Sequence, residues 1–291
     1  MNRSFSDFCN RFKLLGQKNQ KIIGNTLSNI FTMRLVGNKT HGDLAEIGIA
    51  EFINQFMYDY RCEHVGKDLF RAKKHEEDIV IISELNDRER IPVSLKAYGD
   101  GPLQLSTDKS SKLFGKLREE IPEGTCDRDI IEKLFLSEEF EEFGKINVLP
   151  LIYREKKMQC NIMVFDFAKA KEEAAKIVYV NIGEKFVPHR GIVKEKGRLY
   201  PIFMFLNKND EYLCEVRYGA KAANALQRGL WTHTKNASAY FDSLTGWVDY
   251  SHNLTLVKLL ALALNATESA HREVNALLQQ DIDRLRNFNG R

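Results

Sequence analysis

The sequence has few of the features that mark specialised protein classes. Only 6 of its 291 residues are proline and 18 are glycine, which argues against a disordered or low-complexity chain. The five cysteines are far apart in sequence and odd in number, which disfavours a zinc ribbon, a disulfide framework and a thioredoxin-type site. Buried free thiols in a reducing cytoplasm fit this pattern best.

Long hydrophobic runs are also missing. The longest apolar stretch, residues 254–264, has 11 residues and contains Lys258, which makes it about half of a membrane span. Residues 1–13 are charged and have no apolar core, so we expect no signal peptide. The net charge of +3 is too small to indicate a nucleic-acid partner by itself. These features predict a cytoplasmic protein with no membrane partner.

The sequence does contain alternating helical and strand patterns. Apolar residues make up 43% and charged residues 29%, as in ordinary globular domains. Periodicity predicts one or two helices over 4–35 and further helices at 42–60, 110–120, 127–143, 168–177, 220–229 and most of 251–286. Strands are predicted at 78–83, 91–98, 147–153, 159–167, 177–182, 201–206 and 211–218. This order predicts an α/β fold with a mixed central sheet flanked by helices and a helical C-terminal region.

No linker or internal repeat divides the chain. We therefore predict one α/β domain over residues 1–250, including the N-terminal helices, and a helical extension over 251–291. The extension is either part of the same domain or a dimerisation element. Residues 254–264 are apolar on nearly all sides and residues 266–286 are amphipathic, which favours burial in a core and at the face of a homodimer.

The predicted helix at 42–60 carries a carboxylate among apolar side chains. At 100° per residue, Glu46 falls near the centre of a stripe whose other members are Ile49, Ala50, Ile53, Met57 and Tyr60. Glu51 lies well off this stripe, where a solvated carboxylate is expected. A buried carboxylate needs a partner, because desolvating an unpaired charge is costly. The partner of Glu46 is either a metal ion or an internal Arg or Lys, unless Glu46 lies near solvent at the helix end.

The pattern most suggestive of chemistry is a predicted hairpin over residues 78–97. Asp78 opens its first strand, and Ser94 and Lys96 point to the same face of its second strand. Closing the hairpin over residues 84–90 brings Lys96 beside Asp78. An acid that holds a divalent cation and a lysine that stabilises developing charge together suit metal-dependent phosphodiester hydrolysis. An ordinary cross-strand Asp–Lys ion pair would give the same pattern.

The segments DIVIIS (78–83) and PVSLKAY (92–98) resemble the catalytic hairpin of the PD-(D/E)xK nucleases, in particular the type II restriction endonucleases. In that family an acidic helix precedes the hairpin, as HGDLAEIGIAEF (41–52) does here. Ser94 is a departure, because its position usually holds Asp or Glu. Some restriction endonucleases look similar, with Ser before the x-Lys and a glutamate recruited from the preceding helix, which here is Glu46.

The resemblance implies a set of roles for these residues. Asp78 and Glu46 would bind Mg²⁺ together with the main-chain carbonyl of Leu95, Lys96 would be the catalytic lysine, and Ser94 would support the metal site. Rival acids are Glu76 and Glu77 for the position of Asp78, and Asp43, Glu51 and Glu77 for that of Glu46.

Two segments are candidates for contacts with DNA. Residues 214–236 have no acid after Glu215 and are rich in side chains that bind base edges or phosphates. Their candidate residues are Arg217, Lys221, Asn224, Gln227, Arg228, Thr232, His233 and Lys235. Residues 102–112, directly after the second strand of the hairpin, add Gln104, Ser106, Thr107 and Lys109. A solvated basic helix and a plain loop are the alternative interpretations of these segments.

Taken together, the resemblance implies a type II restriction enzyme that hydrolyses double-stranded DNA at a specific site with Mg²⁺ as cofactor. A homodimer would suit cleavage of both strands of a two-fold symmetric site. The alternatives are a repair or defence nuclease of the same superfamily and a catalytically inactive DNA-binding relative.

Overall fold

The computed structural model describes residues 3–36, 42–65, 78–85, 88–98, 102–106, 113–122, 125–126, 128–140, 147–195, 200–217, 229–233 and 236–249, with isolated positions between 272 and 287. Over these residues the chain is an α/β protein with a mixed central sheet flanked by helices, which confirms that part of the predicted fold. The helices predicted at 220–229 and 251–286 lie outside the described residues, apart from Gly229 and those isolated positions.

The described helices agree with most of the predicted ones. They are α1 Arg3–Lys18, α2 Gln20–Val36, α3 Gly42–Phe56, α4 Leu113–Glu120, α5 Arg128–Phe135 and α6 Phe167–Glu173. The predicted end of α3 at residue 60 is wrong, because Tyr60 already pairs with Ser83 as the first residue of a strand. Asp166 caps α6, since its side chain accepts a hydrogen bond from the N–H of Lys169.

The described strands form two large sheets and one hairpin. The first sheet contains β1 Tyr60–His64, β2 Ile79–Ser83, β3 Arg90–Tyr98, β6 Asn147–Arg154, β7 Gln159–Phe165, β14 Phe241–Ser243 and β15 Val248–Asp249. The second contains β4 Pro102–Ser106, β5 Thr125–Cys126, β8 Lys176–Val180, β11 Ile202–Leu206, β12 Tyr212–Arg217 and β13 Gly229–His233. The strands of the hairpin are β9 Glu184–Val187 and β10 Gly191–Lys194.

The first sheet has the strand order β1-β2-β3-β6-β7-β14, and β15 also pairs with β7. β3 and β6 are parallel, with Leu95 opposite Leu149, whereas β1, β2 and β3 form an antiparallel meander. The hairpin predicted over residues 78–97 is therefore present at the centre of this sheet. One face of the first sheet packs against α1, α2 and α3. The cluster at this interface includes Phe8, Phe12, Leu27, Ile49, Ile53, Ile79, Val93 and Leu149.

The second sheet is antiparallel and has the order β4-β13-β12-β11-β8-β5. Its core is rich in aromatic rings and includes Phe114, Phe135, Phe140, Phe203 and Phe205. Val148 belongs to this core, whereas its neighbour Leu149 belongs to the core under α3. Because successive side chains of a strand point to opposite faces, the first sheet lies between the two cores.

The chain changes sheets directly after β3. β4 begins at Pro102, four residues after Tyr98, and pairs with β13 in the second sheet. The interpretation of residues 102–112 as a plain loop is therefore wrong for residues 102–106. Apolar and polar residues alternate along this segment, and Leu103 is buried in the second core. Such an alternation is typical of a strand.

The five cysteines are buried and form no disulfide, as predicted. Burial raises the pKa of the thiols of Cys9 and Cys62 to about 12, and those of Cys160 and Cys214 are raised further. A cysteine with a raised pKa is a poor nucleophile because the reactive species is the thiolate. Among the described helices, none combines the length and the apolar composition needed to cross a membrane.

Candidate active site

Asp78 is held between two strands immediately before β2. Its N–H donates to the carbonyl of Val93 (3.0 Å), and its own carbonyl accepts from the N–H of Val65 (3.0 Å). The main chain of Asp78 is thus fixed by the residue that follows β1 and by the middle of β3. This placement follows from the apolar residues Ile79 to Ile82, which are all buried and draw β2 into the middle of the sheet.

The carboxylate of Asp78 accepts two hydrogen bonds from β3. The hydroxyl of Ser94 donates to Oδ2 at 3.0 Å, and the N–H of Leu95 donates to the same oxygen at 2.6 Å. Ser94 is only 2% exposed, so its hydroxyl has little access to water. Among the described contacts, both hydrogen bonds of this carboxylate end on Oδ2. The side chain is therefore oriented by β3 and retains acceptor capacity at Oδ1.

Lys96 lies on the same face of β3 as Ser94. The strand is continuous from Arg90 to Tyr98, and the register places Ser94 beside Val148 and Lys96 beside Pro150 of β6. Since Val148 belongs to the second core, Ser94 and Lys96 point to that side of the first sheet. Lys96 is partly exposed, so a charged group can approach its ammonium from solvent.

The main-chain polar groups of Leu95 point to the side of β3 on which Asp78 lies. Its N–H already points at the Asp78 carboxylate. In an extended strand the N–H and C=O of one residue point to the same neighbouring strand. The carbonyl of Leu95 is therefore directed toward the region beside Asp78, just before β2 begins at Ile79.

Glu46 has a histidine as partner. Its Oε2 lies 3.1 Å from Nε2 of His64, and the two side chains are 20% and 24% exposed. Glu46 is thus half-buried on the face of α3 that carries Ile49 and Ala50, as the periodicity predicts. Glu51 is exposed, as expected for a solvated carboxylate.

The contact between His64 and Glu46 was not predicted from the sequence. The alternation of Tyr60, Cys62 and His64 along β1 could have indicated it, because it places all three side chains on the face of the strand that α3 covers. His64 pairs with Ile79, the residue that directly follows Asp78. The Glu46–His64 pair and the Asp78–Ser94 pair therefore lie at the same end of the first sheet, approaching it from opposite faces.

The structure corrects one predicted DNA contact. Thr232 is 1% exposed, and its hydroxyl donates to the carbonyl of Leu213 (2.7 Å) within the second sheet, so it belongs to the core. Arg217 contacts the buried Glu215 and donates to the hydroxyl of Tyr200 (2.9 Å), which gives it an internal partner. A DNA contact by Arg217 stays a prediction.

The remaining predicted residues are described only in part. Gln104 and Ser106 lie on β4, at the edge of the second sheet, and His233 lies on β13. Asp43 lies on α3. Outside the described residues are Glu76, Glu77, Thr107, Lys109, Lys221, Asn224, Gln227, Arg228 and Lys235.

Over the described part of the chain, no three His, Cys, Asp or Glu side chains form a ready metal-binding group. A site with fewer protein ligands suits Mg²⁺, which usually binds one or two carboxylates and keeps several waters. Comparisons of the chain with protein-family models, curated proteins and solved structures gave no match.

Proposed function

We propose that this protein is a Mg²⁺-dependent endonuclease that hydrolyses double-stranded DNA at a specific site, as a type II restriction enzyme does. The observation that carries the proposal is the oriented carboxylate of Asp78, bound by Ser94 and by the N–H of Leu95, with Lys96 on the same strand face as Ser94. An ordinary Asp–Lys ion pair would not require two further donors aimed at the acid. The presence of these two donors favours a functional site over an ordinary ion pair.

The oxygen donors at this end of the sheet fit Mg²⁺. Asp78 would supply a carboxylate, and the main-chain carbonyl of Leu95 faces the same region. Glu46 stays a predicted ligand, because it approaches this end of the sheet from the opposite face. Hard oxygen ligands of this kind are the ones that Mg²⁺ prefers. When bound, Mg²⁺ polarises the phosphate and lowers the pKa of a water molecule.

The protein's own side chains have distinct tasks in this reaction. The ammonium of Lys96 stabilises the negative charge that develops on the scissile phosphate and orients the attacking water. Ser94 holds Asp78 in one rotamer. The partly exposed position of Lys96 allows a phosphate of the duplex to reach it. A homodimer would bring two copies of this site to the two strands of a symmetric DNA sequence.

A catalytically inactive DNA-binding relative is the second candidate. The observation that favours it is Ser94, a neutral residue where the resembled nucleases usually carry an acid. A repair or defence nuclease of the same superfamily would use the same residues on another substrate. Both candidates differ from a restriction enzyme in what they do to long duplex DNA.

The test is to incubate the purified protein with unmethylated phage and plasmid DNA, with Mg²⁺ or with EDTA, and to separate the products on a gel. A restriction enzyme gives discrete fragments only with Mg²⁺, whereas nicking confined to branched or damaged DNA indicates a repair nuclease.

Lys96→Ala should abolish cleavage and retain DNA binding. Lys157→Ala, which changes an exposed lysine of the turn between β6 and β7, is the matched control. Intact DNA with a folded, DNA-binding wild type would overturn the nuclease proposal.

A further inference from the structure

The hairpin formed by β9 and β10 is a feature that the proposed mechanism does not use. Among the described strands, these two pair only with each other, so the hairpin completes neither large sheet. Phe186 anchors it, because this side chain packs against a small cluster of the second sheet that contains Val180, Ile202 and Leu206. The hairpin is therefore a two-stranded ribbon that is attached to the second sheet without being part of it.

The tip of this hairpin is a tight and exposed turn. The N–H of Arg190 donates to the carbonyl of Val187 (3.0 Å), which closes the turn over residues 187–190. Pro188, His189 and Arg190 are all exposed. His189 has a φ of 63°, at a position of the turn where glycine is usual after a proline. A residue other than glycine is strained in this conformation, and such residues concentrate at functional sites.

The positive charge at the tip is not balanced by the acids of the hairpin. Glu184 and Glu195 lie at its open end, away from the tip. Glu184 accepts a hydrogen bond from the N–H of Asn181 (3.1 Å), and Glu195 accepts one from Nζ of Lys185 (3.2 Å). Over the described part of the chain, no acid contacts Arg190, whose side chain is exposed. The tip therefore presents a guanidinium to solvent.

We infer that the β9–β10 hairpin enters the major groove of duplex DNA and that Arg190 contacts the DNA from its tip. The inference rests on the proposed function, since it adds a DNA-binding element to that enzyme. The major groove is wide enough for a two-stranded β-ribbon. A guanidinium there can form two hydrogen bonds with guanine or with a phosphate, and an imidazole N–H of His189 can donate to the same kinds of acceptor.

The experiment measures binding of the full-length protein to a labelled duplex of mixed sequence by fluorescence anisotropy, in EDTA so that no cleavage occurs. Arg190→Ala should weaken binding by about five- to tenfold at about 0.1 M salt and lower the slope of log affinity against log salt by about one, because one cation is withdrawn from the DNA. Arg88→Ala is the matched control and should bind as the wild type does. Arg88 is an exposed arginine in the turn between β2 and β3, and it also has a positive φ (56°).

A second duplex tests whether the tip lies in the major groove. It carries bulky groups at C5 of its pyrimidines, which project into that groove. On this duplex the wild type and Arg190→Ala should bind with equal affinity, because the tip is already excluded. An undiminished effect of Arg190→Ala on this duplex would overturn the inference.

The variant His189→Gly separates DNA binding from a role in folding. Glycine adopts a positive φ without strain, so the variant should melt at or above the temperature of the wild type. It should also bind DNA more weakly, because it lacks the imidazole donor. Wild-type affinity in both His189→Gly and Arg190→Ala would overturn the inference.

Failure of this inference and failure of the proposed function give different results. A wild type that cuts DNA, with Arg190→Ala equal to it in binding and cleavage, overturns only the role of the hairpin. A wild type that leaves all DNA intact, but binds the duplex more tightly than Arg190→Ala does, overturns the nuclease and supports the hairpin. A wild type that binds no duplex DNA overturns both.

Discussion

Ser94 of β3 and Asp78, the residue that precedes β2, are joined by a hydrogen bond of 3.0 Å from the hydroxyl to Oδ2. A second carboxylate in the place of Ser94 would repel Asp78 until a cation arrived, because two like charges this close disfavour joint ionisation. The hydroxyl instead donates a hydrogen bond to the carboxylate of Asp78. In the proposed site, a serine at position 94 would therefore replace one metal ligand by a hydrogen bond that orients the other.

This relationship predicts the effect of Ser94→Ala. The variant removes a hydrogen bond to a charged group, which is usually worth about 1.5–3 kcal/mol, so cleavage should slow by roughly 10- to 100-fold at saturating Mg²⁺. Asp78→Asn should abolish cleavage in the same assay. Initial rates on a plasmid substrate check both changes. Wild-type rates in Ser94→Ala would show that the hydroxyl only fills space.

The buried pair of Glu215 and Arg217 predicts a stability effect rather than a loss of DNA contact. Glu215 is buried, so Arg217→Met leaves an uncompensated carboxylate and should lower the free energy of unfolding by about 3–5 kcal/mol. The double variant Glu215→Gln with Arg217→Met should recover much of that loss. Urea denaturation of the three proteins checks this. A stable single variant with weakened DNA binding would instead favour a DNA-facing Arg217.

The packing of α1 against β1 predicts a large cost for Phe8→Ala. The ring of Phe8 is fully buried and meets Tyr60 edge-on at 5.3 Å between centroids. Truncation should therefore lower the free energy of unfolding by about 3–5 kcal/mol. Leu14→Ala on the same helix is the control, since Leu14 is 49% exposed and its loss should change stability little. Chemical denaturation at neutral pH measures both.

The buried thiols predict a loss of stability at alkaline pH. Below about pH 9 folded and unfolded chains both keep their thiol protons, whereas above it the unfolded chain releases protons that Cys9 and Cys62 retain up to about 12. The free energy of unfolding should therefore fall as pH rises from about 9 to 12. Urea denaturation across this range checks the slope, which a Cys9→Ala and Cys62→Ala double variant should reduce.

At pH 8 the native protein should react slowly with a disulfide thiol reagent, and fast reaction would contradict the burial of these cysteines.

The sequence was informative wherever one periodicity dominated a segment. The apolar runs around Ile79 to Ile82 and Ile91 to Val93 predicted the central hairpin, and the alternation of Ser94 and Lys96 followed from it. Glu46 was found because helical spacing places it beside Ile49 and Ala50. In each case a local pattern and the tertiary environment agree.

The parts that were missed depend on pairing between distant residues. β1 and β4 have five residues each, and their partners, β2 and β13, are found only after the chain has folded. Thr232 looked like a phosphate ligand because composition cannot distinguish an exposed hydroxyl from one bonded to Leu213 inside a sheet. The contact of His64 with Glu46 was not predicted, because it depends on the register of β1 with β2 and not on the neighbours of His64 in sequence.

The passage of the chain from β3 in the first sheet to β4 in the second has a consequence for how the protein unfolds. Later segments return to the first sheet at β6, enter the second at β8 and end in the first at β15, so neither sheet is made from a continuous piece of sequence. Any truncation that removes one sheet therefore removes strands from the other. We expect the two cores to melt together in one cooperative transition, and we expect slow folding because β4 must find β13 more than a hundred residues away.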